Sequence, residues 1–383
     1  MVVRRVARRA YHAVLAALVA ASARIFRRRT GPAGDPHSIL VIRLGLIGDG
    51  VLLTPALRLL RQRFPEARID VLVTPTQVAL LGPLESIDRT IAWEAGDLLE
   101  PRLAAQRWRW LSAARTIARL RSERYDLALA CYGALGSAIA LLSGAADRIG
   151  YAGEAFPGTL TRSLEGARWD RPWHDAEYNV ELVRAAGATG VTPATELTLP
   201  YAELPAATYA HKNGSDTPLV AIHTGAVNGR AKRWPFEHWR ELVDRLRDDG
   251  CRLLFVGSEA EDVRFAESVA REGENLVGRT TLPQLAHVLT LPDVFITADS
   301  GPMHIATALR TPVVAIFGPT DPTIYKPFQA ERAIVVRHVV PCQPCYRLDR
   351  VADCPLGHTR CQWGLNPEKV HRAVRELLAA RES

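Results

Sequence analysis

The feature that most constrains this 383-residue chain lies late in it, between residues 293 and 322. Asp293-Val294-Phe295-Ile296-Thr297 reads as a buried strand. Ala298-Asp299-Ser300-Gly301-Pro302 reads as a tight turn, Met303 to Leu309 as a short helix, and Pro312-Val313-Val314-Ala315-Ile316-Phe317 as a second buried strand before Gly318-Pro319-Thr320-Asp321-Pro322. Strand, turn, helix and strand in this order form the repeating unit of a parallel α/β sheet. Such a turn leaves unpaired backbone N–H groups at the positive end of the helix, an arrangement that suits a phosphate. Gly301 permits close backbone approach, and Pro302 suits a first helical position. The same residues also make an ordinary helix start, with Asp299 or Ser300 as cap and His304 in the first turn.

The rest of the chain repeats this grammar. In the first half, Ser38 to Arg43 reads as a strand, Leu44 to Gly50 as a glycine turn, and Val51 to Phe64 as a helix ended by Pro65. Further strands are expected at Arg68–Val73, Arg89–Trp93 and Asp126–Cys131, and helices between them, including Arg102 to Arg121. The Trp- and Arg-rich loop Arg168–Trp173 either meets an acidic acceptor or forms a packing corner; a helix from His174 to Gly187 follows. In the second half, Pro218 to His223 reads as a strand and Thr224 to Ala231 as a small-residue loop. Lys232-Arg233-Trp234-Pro235 leads into an amphipathic helix, Glu237 to Arg247. Arg252 to Glu259 reads as strand and turn, and Thr280 to Leu285 as a helix start. A terminal helix from Pro367 to Ala380 is expected to cross back to the first domain. Alternating strands and helices imply doubly wound domains. The expected division is an arm and linker at 1–37, a first domain at 38–192, an interdomain linker at 193–217 and a second domain at 218–383.

Charge narrows the partners. The net charge is +7, and residues 1–37 hold eight arginines and one acid, Asp35, so this arm accounts for all of it. The body is neutral. Nucleic acid is excluded as a partner, because no binding module appears and the arginines are not interleaved with stacking aromatics. Ala10 to Phe26 is largely Ala, Val and Leu, yet it contains His12 and Arg24 and is too short for a spanning helix of about 20 apolar residues. Ala21-Ser22-Ala23 has the form of a cleavage site, but Arg24 and Arg27 to Arg29 argue against export. The expectation is a helix lying on the anionic inner face of the cytoplasmic membrane through residues 1–29. A basic tail is the alternative.

The turn Gly45-x-x-Gly48-x-Gly50 lacks the spacing of a dinucleotide fingerprint. Together with its surroundings it nevertheless resembles a known family. Ile47-Gly48-Asp49-Gly50-Val51-Leu52-Leu53-Thr54-Pro55-Ala56-Leu57 and Asp299-Ser300-Gly301-Pro302-Met303-His304-Ile305-Ala306 with Phe317-Gly318-Pro319-Thr320-Asp321-Pro322 resemble the two signatures of glycosyltransferase family 9, the bacterial ADP-heptose heptosyltransferases. The resemblance covers residues 38–370. It implies a GT-B fold, two Rossmann-like domains facing across a cleft, with the acceptor on the first and the nucleotide-sugar on the second. It implies inverting transfer of heptose from ADP-heptose, or another nucleotide-sugar, to a lipopolysaccharide core or related glycan acceptor, with no cofactor or catalytic metal. Asp49 takes the place of the catalytic base, which must accept a proton as a sugar hydroxyl attacks an anomeric carbon. Lys232 matches the lysine of Lys-x-Trp-Pro that meets the donor diphosphate, where a cation offsets the leaving charge. Thr224 and Gly225 would add contacts, and Glu259 would take the ribose hydroxyls. Asp299 would hold sugar hydroxyls, Ser300 and Gly301 would offer backbone N–H groups, and His304 would support them. Gly50 departs from the family, where a β-branched residue commonly follows the aspartate.

Cys131 and Cys251 lie in apolar runs and read as inert core thiols. Cys342-x-x-Cys345, Cys354 and Cys361 have metal-like spacing, and the pattern resembles one carried by many members of the family. A structural zinc site, a reduced thiol cluster and disulfides all remain open, and none is assigned to catalysis. Two other functions fit the same architecture: a nucleotide-sugar epimerase, which needs no acceptor, and a non-catalytic nucleotide-sugar-binding scaffold at the membrane.

Overall fold

The computed structural model describes residues 34–199 except 169, then 202–204, 217–346 except 227–228, and 353–380, with Tyr11, Leu15, Ala17, Val19 and Ala21 of the arm. The remainder of the arm and most of the expected linker, 200–201 and 205–216, fall outside the described residues. The chain divides into two compact units, residues 1–193 and 194–383.

The first unit is built on six parallel strands: β1 (Ser38–Arg43), β2 (Arg68–Val73), β3 (Arg89–Ala92), β4 (Leu127–Ala130), β5 (Asp147–Tyr151) and β6 (Arg162–Leu164). Their order is β3-β2-β1-β4-β5-β6, so the chain reverses direction across the sheet between β1 and β4. Ile39 to Ile42 are buried on both faces, as the continuous apolar run of a central parallel strand requires. β5 and β6 were not legible as strands. Asp147-Arg148-Ile149-Gly150-Tyr151 has no apolar run, and its Arg148 is buried only because its guanidinium donates to the carbonyls of Thr159 and Ala145.

Around this sheet lie α1 (Ile47–Val51), α2 (Thr54–Arg63), α3 (Pro75–Leu81), α4 (Pro101–Ala104), α5 (Arg107–Ser122), α6 (Gly133–Leu142) and α7 (Asp175–Ala185). Two expected helices are each interrupted. Val51–Phe64 breaks at Leu52–Leu53 because Pro55, in the first turn of α2, cannot donate to a continuing helix. Arg102–Arg121 breaks before α5, where Gln106 is extended and starts the helix afresh.

The second unit holds five parallel strands: β7 (Leu219–His223), β8 (Arg252–Phe255), β9 (Val294–Ala298), β10 (Val313–Phe317) and β11 (Ala333–Arg337), in the order β11-β10-β9-β7-β8. Here the reversal falls between β7 and β9. The helices are α8 (Phe236–Asp248), α9 (Ala260–Val269), α10 (Leu282–Val288), α11 (Gly301–Ala308), α12 (Pro322–Tyr325), α13 (Arg360–Trp363) and α14 (Pro367–Ala379). Trp239, Leu242, Val243 and Leu246 of α8 and Val370, Ala373, Val374 and Leu377 of α14 recur at i, i+3, i+4 and i+7, and both stripes enter this unit's own core. The apolar face of α14 is therefore buried on the second unit's own sheet. Each fully buried Leu or Val there contributes about 1.5–3 kcal/mol.

Candidate functional site

Ligands of open α/β sheets bind outside the carboxyl ends of the strands, where the strand order reverses. Both units place their motif residues there.

In the first unit, Arg43 ends β1 and is 2% exposed. Its guanidinium donates to the carbonyl of Cys131, just past β4, and so spans the reversal point. One nitrogen of the same group lies 2.8 Å from an Asp49 oxygen and 2.8 Å from an Asp175 oxygen. Arg168 supports the other Asp175 oxygen at 3.1 Å and also donates to the Cys131 carbonyl. Burial opposes the charge on Arg43, but Asp175 and Asp49 outweigh it and hold the guanidinium above its ordinary value. Arg168 is thus part of an interior network, and Trp173 packs tilted against Tyr178 with ring centroids 5.5 Å apart, so both ends of this loop are anchored inward while Arg171 stays exposed.

Asp49 sits in the first turn of α1. Its second oxygen accepts the Leu46 N–H at 2.6 Å, so it does cap the turn, while its side chain stays 29% exposed. Capping and ion pairing leave part of the carboxylate open to a ligand. Gly45 explains why this carboxylate fits: a Cβ there would stand 2.2 Å from an Asp49 oxygen. Gly50 has a different reason. A Cβ would press on Gln77 at 3.1 Å, and Gln77 donates to the Leu46 carbonyl at 2.6 Å. Gly50, the position that departs from the family, therefore lets Gln77 close on this turn.

In the second unit, every expected donor residue follows one of three adjacent strands. Thr224, Gly225 and Lys232 follow β7, Glu259 follows β8, and Asp299, Ser300, Gly301 and His304 follow β9. Lys232 closes a short 3₁₀ turn, Arg230–Lys232, and its ammonium lies 2.9 Å from an Asp299 oxygen and 4.2 Å from the Tyr346 ring centroid. Gln362 donates to the Lys232 carbonyl at 2.7 Å, and the Trp234 indole donates to the Leu365 carbonyl at 3.0 Å, so the C-terminal segment holds this loop. Ser300 precedes α11, whose first N–H groups open at the same strand ends, and His304 is buried in its first turn.

Two residues here escaped the sequence reading. Asp262 is buried, accepts the Thr224 hydroxyl at 2.7 Å, and accepts the N–H groups of Ser258 and Glu259 at 3.2 and 3.1 Å. It ties the β7 and β8 loops together. Cβ atoms at Gly225 and Gly257 would stand 2.6 and 2.5 Å from its carboxylate, and Gly257 has φ +144°, so both glycines serve Asp262. The available signal was an acid three residues past a helix cap. The second residue is His223, which ends β7. Its Nδ1 lies 2.9 Å from the Thr297 hydroxyl of β9 and 3.4 Å from the Ser300 hydroxyl. Burial pushes its pKa down against the pull of Asp262, so the ring is neutral and its 3.9 Å approach to that acid is not an ion pair at neutral pH.

All six cysteines are free thiols. Cys131 and Cys251 are buried, as expected. Cys361 is buried on α13, and its thiol is pushed up to about 11 by burial and by the neighbouring cysteines. Cys342, Cys345 and Cys354 are only partly buried. Among the described residues no three His, Cys, Asp or Glu side chains gather as metal ligands. Cys342, Cys345 and Cys354 all lie close enough to Cys361 to raise its thiol, so the four cysteines of the motif neighbour one another as free thiols.

A pair of parallel-sheet units with motif residues at both reversal points is the GT-B architecture, and comparison with known proteins agrees. The sequence pattern of glycosyltransferase family 9 (heptosyltransferase) matches residues 113–354, and the chain belongs to that family. It is 27% identical over 361 residues to lipopolysaccharide heptosyltransferase 2 of Escherichia coli K12, covering 90% of this chain and 99% of that one. The solved structure of the E. coli ADP-heptose lipopolysaccharide heptosyltransferase II superposes with a TM-score of 0.68 at 25% identity, over 90% of this chain and all of that one. A putative UDP-N-acetylglucosamine 2-epimerase from Listeria monocytogenes superposes with a TM-score of 0.50 at 15% identity, over 90% of this chain and 89% of that one, a likeness of fold alone. The chain is a glycosyltransferase; the epimerase and scaffold readings give way to it.

Proposed function

We propose that this enzyme transfers a heptose from ADP-heptose to a lipopolysaccharide core or related glycan acceptor, with inversion. The observation that carries this reading is Asp49, an ion-paired carboxylate fixed by Arg43 and the Leu46 N–H yet partly open. The acceptor hydroxyl oxygen forms a bond to the anomeric carbon as the bond to the diphosphate breaks. Asp49 takes the hydroxyl proton, and ADP leaves with the bonding electron pair. Lys232 and the N–H groups opening α11 offset the charge that develops on the diphosphate. Glu259 accepts the ribose hydroxyls, and Asp299 holds both Lys232 and sugar hydroxyls. The acceptor's lipid brings the enzyme to the inner face of the cytoplasmic membrane, which the arginine-rich arm of residues 1–29 contacts. Among the described residues no helix is long and apolar enough to cross a membrane.

Asp49→Asn tests the reading. ADP release in the presence of donor and acceptor is expected to fall by about 10²-fold or more, while ADP-heptose still raises the melting temperature as in the wild type. Transfer within a few-fold of wild type would falsify the base role. Stabilisation by no ADP-sugar at all removes the donor assignment.

A further inference from the structure

Exposed large apolar side chains are rare in this fold, and three of them stand together on α5: Trp108 at 52%, Trp110 at 40% and Leu111 at 60% exposure. The helix carries Arg107, Arg109, Arg115, Arg119 and Arg121 and no acid. Arg107, Arg115 and Arg119 are exposed and have no ion pair among the described residues. Trp108, Leu111, Arg115 and Ala118 recur at i, i+3, i+7 and i+10, one stripe along the outward face, while only Ala113 and Leu120 are buried inward. A water-facing helix has no reason to pair aromatic and arginine side chains in this way. A helix lying in a lipid headgroup layer does, because indole rings favour that layer and arginine stems reach past them to phosphates.

The neighbouring surface continues the pattern. Trp110, Ala114 and Ile117 of α5 help line an apolar cavity of about 250 Å³, together with Leu135 of α6 and Leu15 and Val19 of the arm. Tyr11 is fastened there, since its hydroxyl donates to the Leu98 carbonyl at 2.8 Å. Tyr11, Leu15 and Val19 and the helix α5 thus share one side of the first unit.

We propose that the outward face of α5 is a docking surface for an anionic phospholipid bilayer, with Trp108 and Leu111 entering the headgroup layer and Arg107, Arg115 and Arg119 meeting lipid phosphates. The proposal rests on the membrane-surface part of the function reading and not on the transfer step. Full-length protein is sedimented with vesicles of phosphatidylcholine, alone or mixed with phosphatidylglycerol, without donor or acceptor, so failure of the transfer reading leaves the result standing. Arg115→Gln with Arg119→Gln is expected to weaken binding to the phosphatidylglycerol vesicles by about fivefold per arginine and to leave the melting temperature unchanged. Trp108→Ser with Leu111→Ser is expected to weaken it by about tenfold or more, and Trp108→Phe to restore most of it. Transfer to an acceptor stripped of its acyl chains is expected to be unaffected by these variants. The proposal is overturned if the α5 variants bind like wild type while Arg27→Gln with Arg28→Gln and Arg29→Gln abolishes binding. It is equally overturned if Trp108→Ser with Leu111→Ser turns a dimer into a monomer and leaves vesicle binding intact, since the face would then join two copies of this chain.

Discussion

The two reversal points solve one problem in opposite ways. In the first unit the gap between β1 and β4 is bridged by a buried cation, Arg43, which reaches the Cys131 carbonyl and two carboxylates at once. In the second unit the ends of β7 and β9 themselves are bridged by neutral groups, the His223 ring and the Thr297 and Ser300 hydroxyls, and the Lys232–Asp299 ion pair spans only the loops beyond them. The charged bridge aims a single side chain, Asp49. The neutral bridge leaves the strand ends lined by small residues and backbone N–H groups, and the fixed charge of Asp262 is used to order loops. A base needs one oriented carboxylate, whereas a diphosphate needs an uncrowded cradle with few competing anions. On the roles proposed for Asp49 and Lys232, the difference in wiring follows from the difference in ligand.

The sharpest way to break this comparison is to remove the charged bridge. Arg43→Met leaves the Asp175 carboxylate buried with only Arg168 and frees Asp49, so unfolding free energy measured in urea is expected to drop by about 3–5 kcal/mol, with transfer lost. Arg43→Lys should recover part of the stability and less of the activity, because one ammonium cannot match the forked contacts of the guanidinium. If Arg43→Met is as stable and as active as wild type, the network does not position Asp49. Next in size is Asp262→Ala. It strands the Thr224 hydroxyl and the Ser258 and Glu259 N–H groups, an expected cost of about 1–3 kcal/mol. Loosening both loops should weaken ADP binding by calorimetry more than it slows transfer at saturating donor, whereas unchanged ADP affinity would limit Asp262 to a structural role. The smallest effect concerns pH. His223 has its pKa depressed below 6.5 in the fold, so the unfolded chain takes up its proton first on acidification. Stability contributed by the neutral ring is complete above pH 6.5 and declines as pH falls towards the folded value. His223→Gln should flatten that part of the melting-temperature profile; an unaltered acid slope would assign it to other groups.

Residues whose role is set by their immediate neighbours in the chain were readable from the order of residues. The apolar runs of β1, β2, β7, β9 and β10 had to be buried strands, since no other element hides such runs on both faces. The glycine and proline turns after β1 and β9 marked both reversal points, and Asp49, Lys232 and Asp299 were found through their local words. Arg43, Arg168, Asp175, His223 and Asp262 were not. Each is an ordinary polar residue in its own segment, and its importance arises from partners up to 132 positions away, as with Arg43 and Asp175.

The sequence alone therefore determined the alternation of strand and helix, the two turns to which the proposed chemistry is assigned and the concentration of positive charge in the arm. Periodicity and backbone stereochemistry act over a few residues, and a few residues suffice to display them. Only the tertiary structure decided which charges are buried together, that α5 turns its tryptophans and arginines outward beside Leu15 and Val19, and that α14 sinks its apolar stripe into the core of the second unit. Those outcomes depend on desolvation and on distances across the fold, and neither quantity is written in the order of the residues.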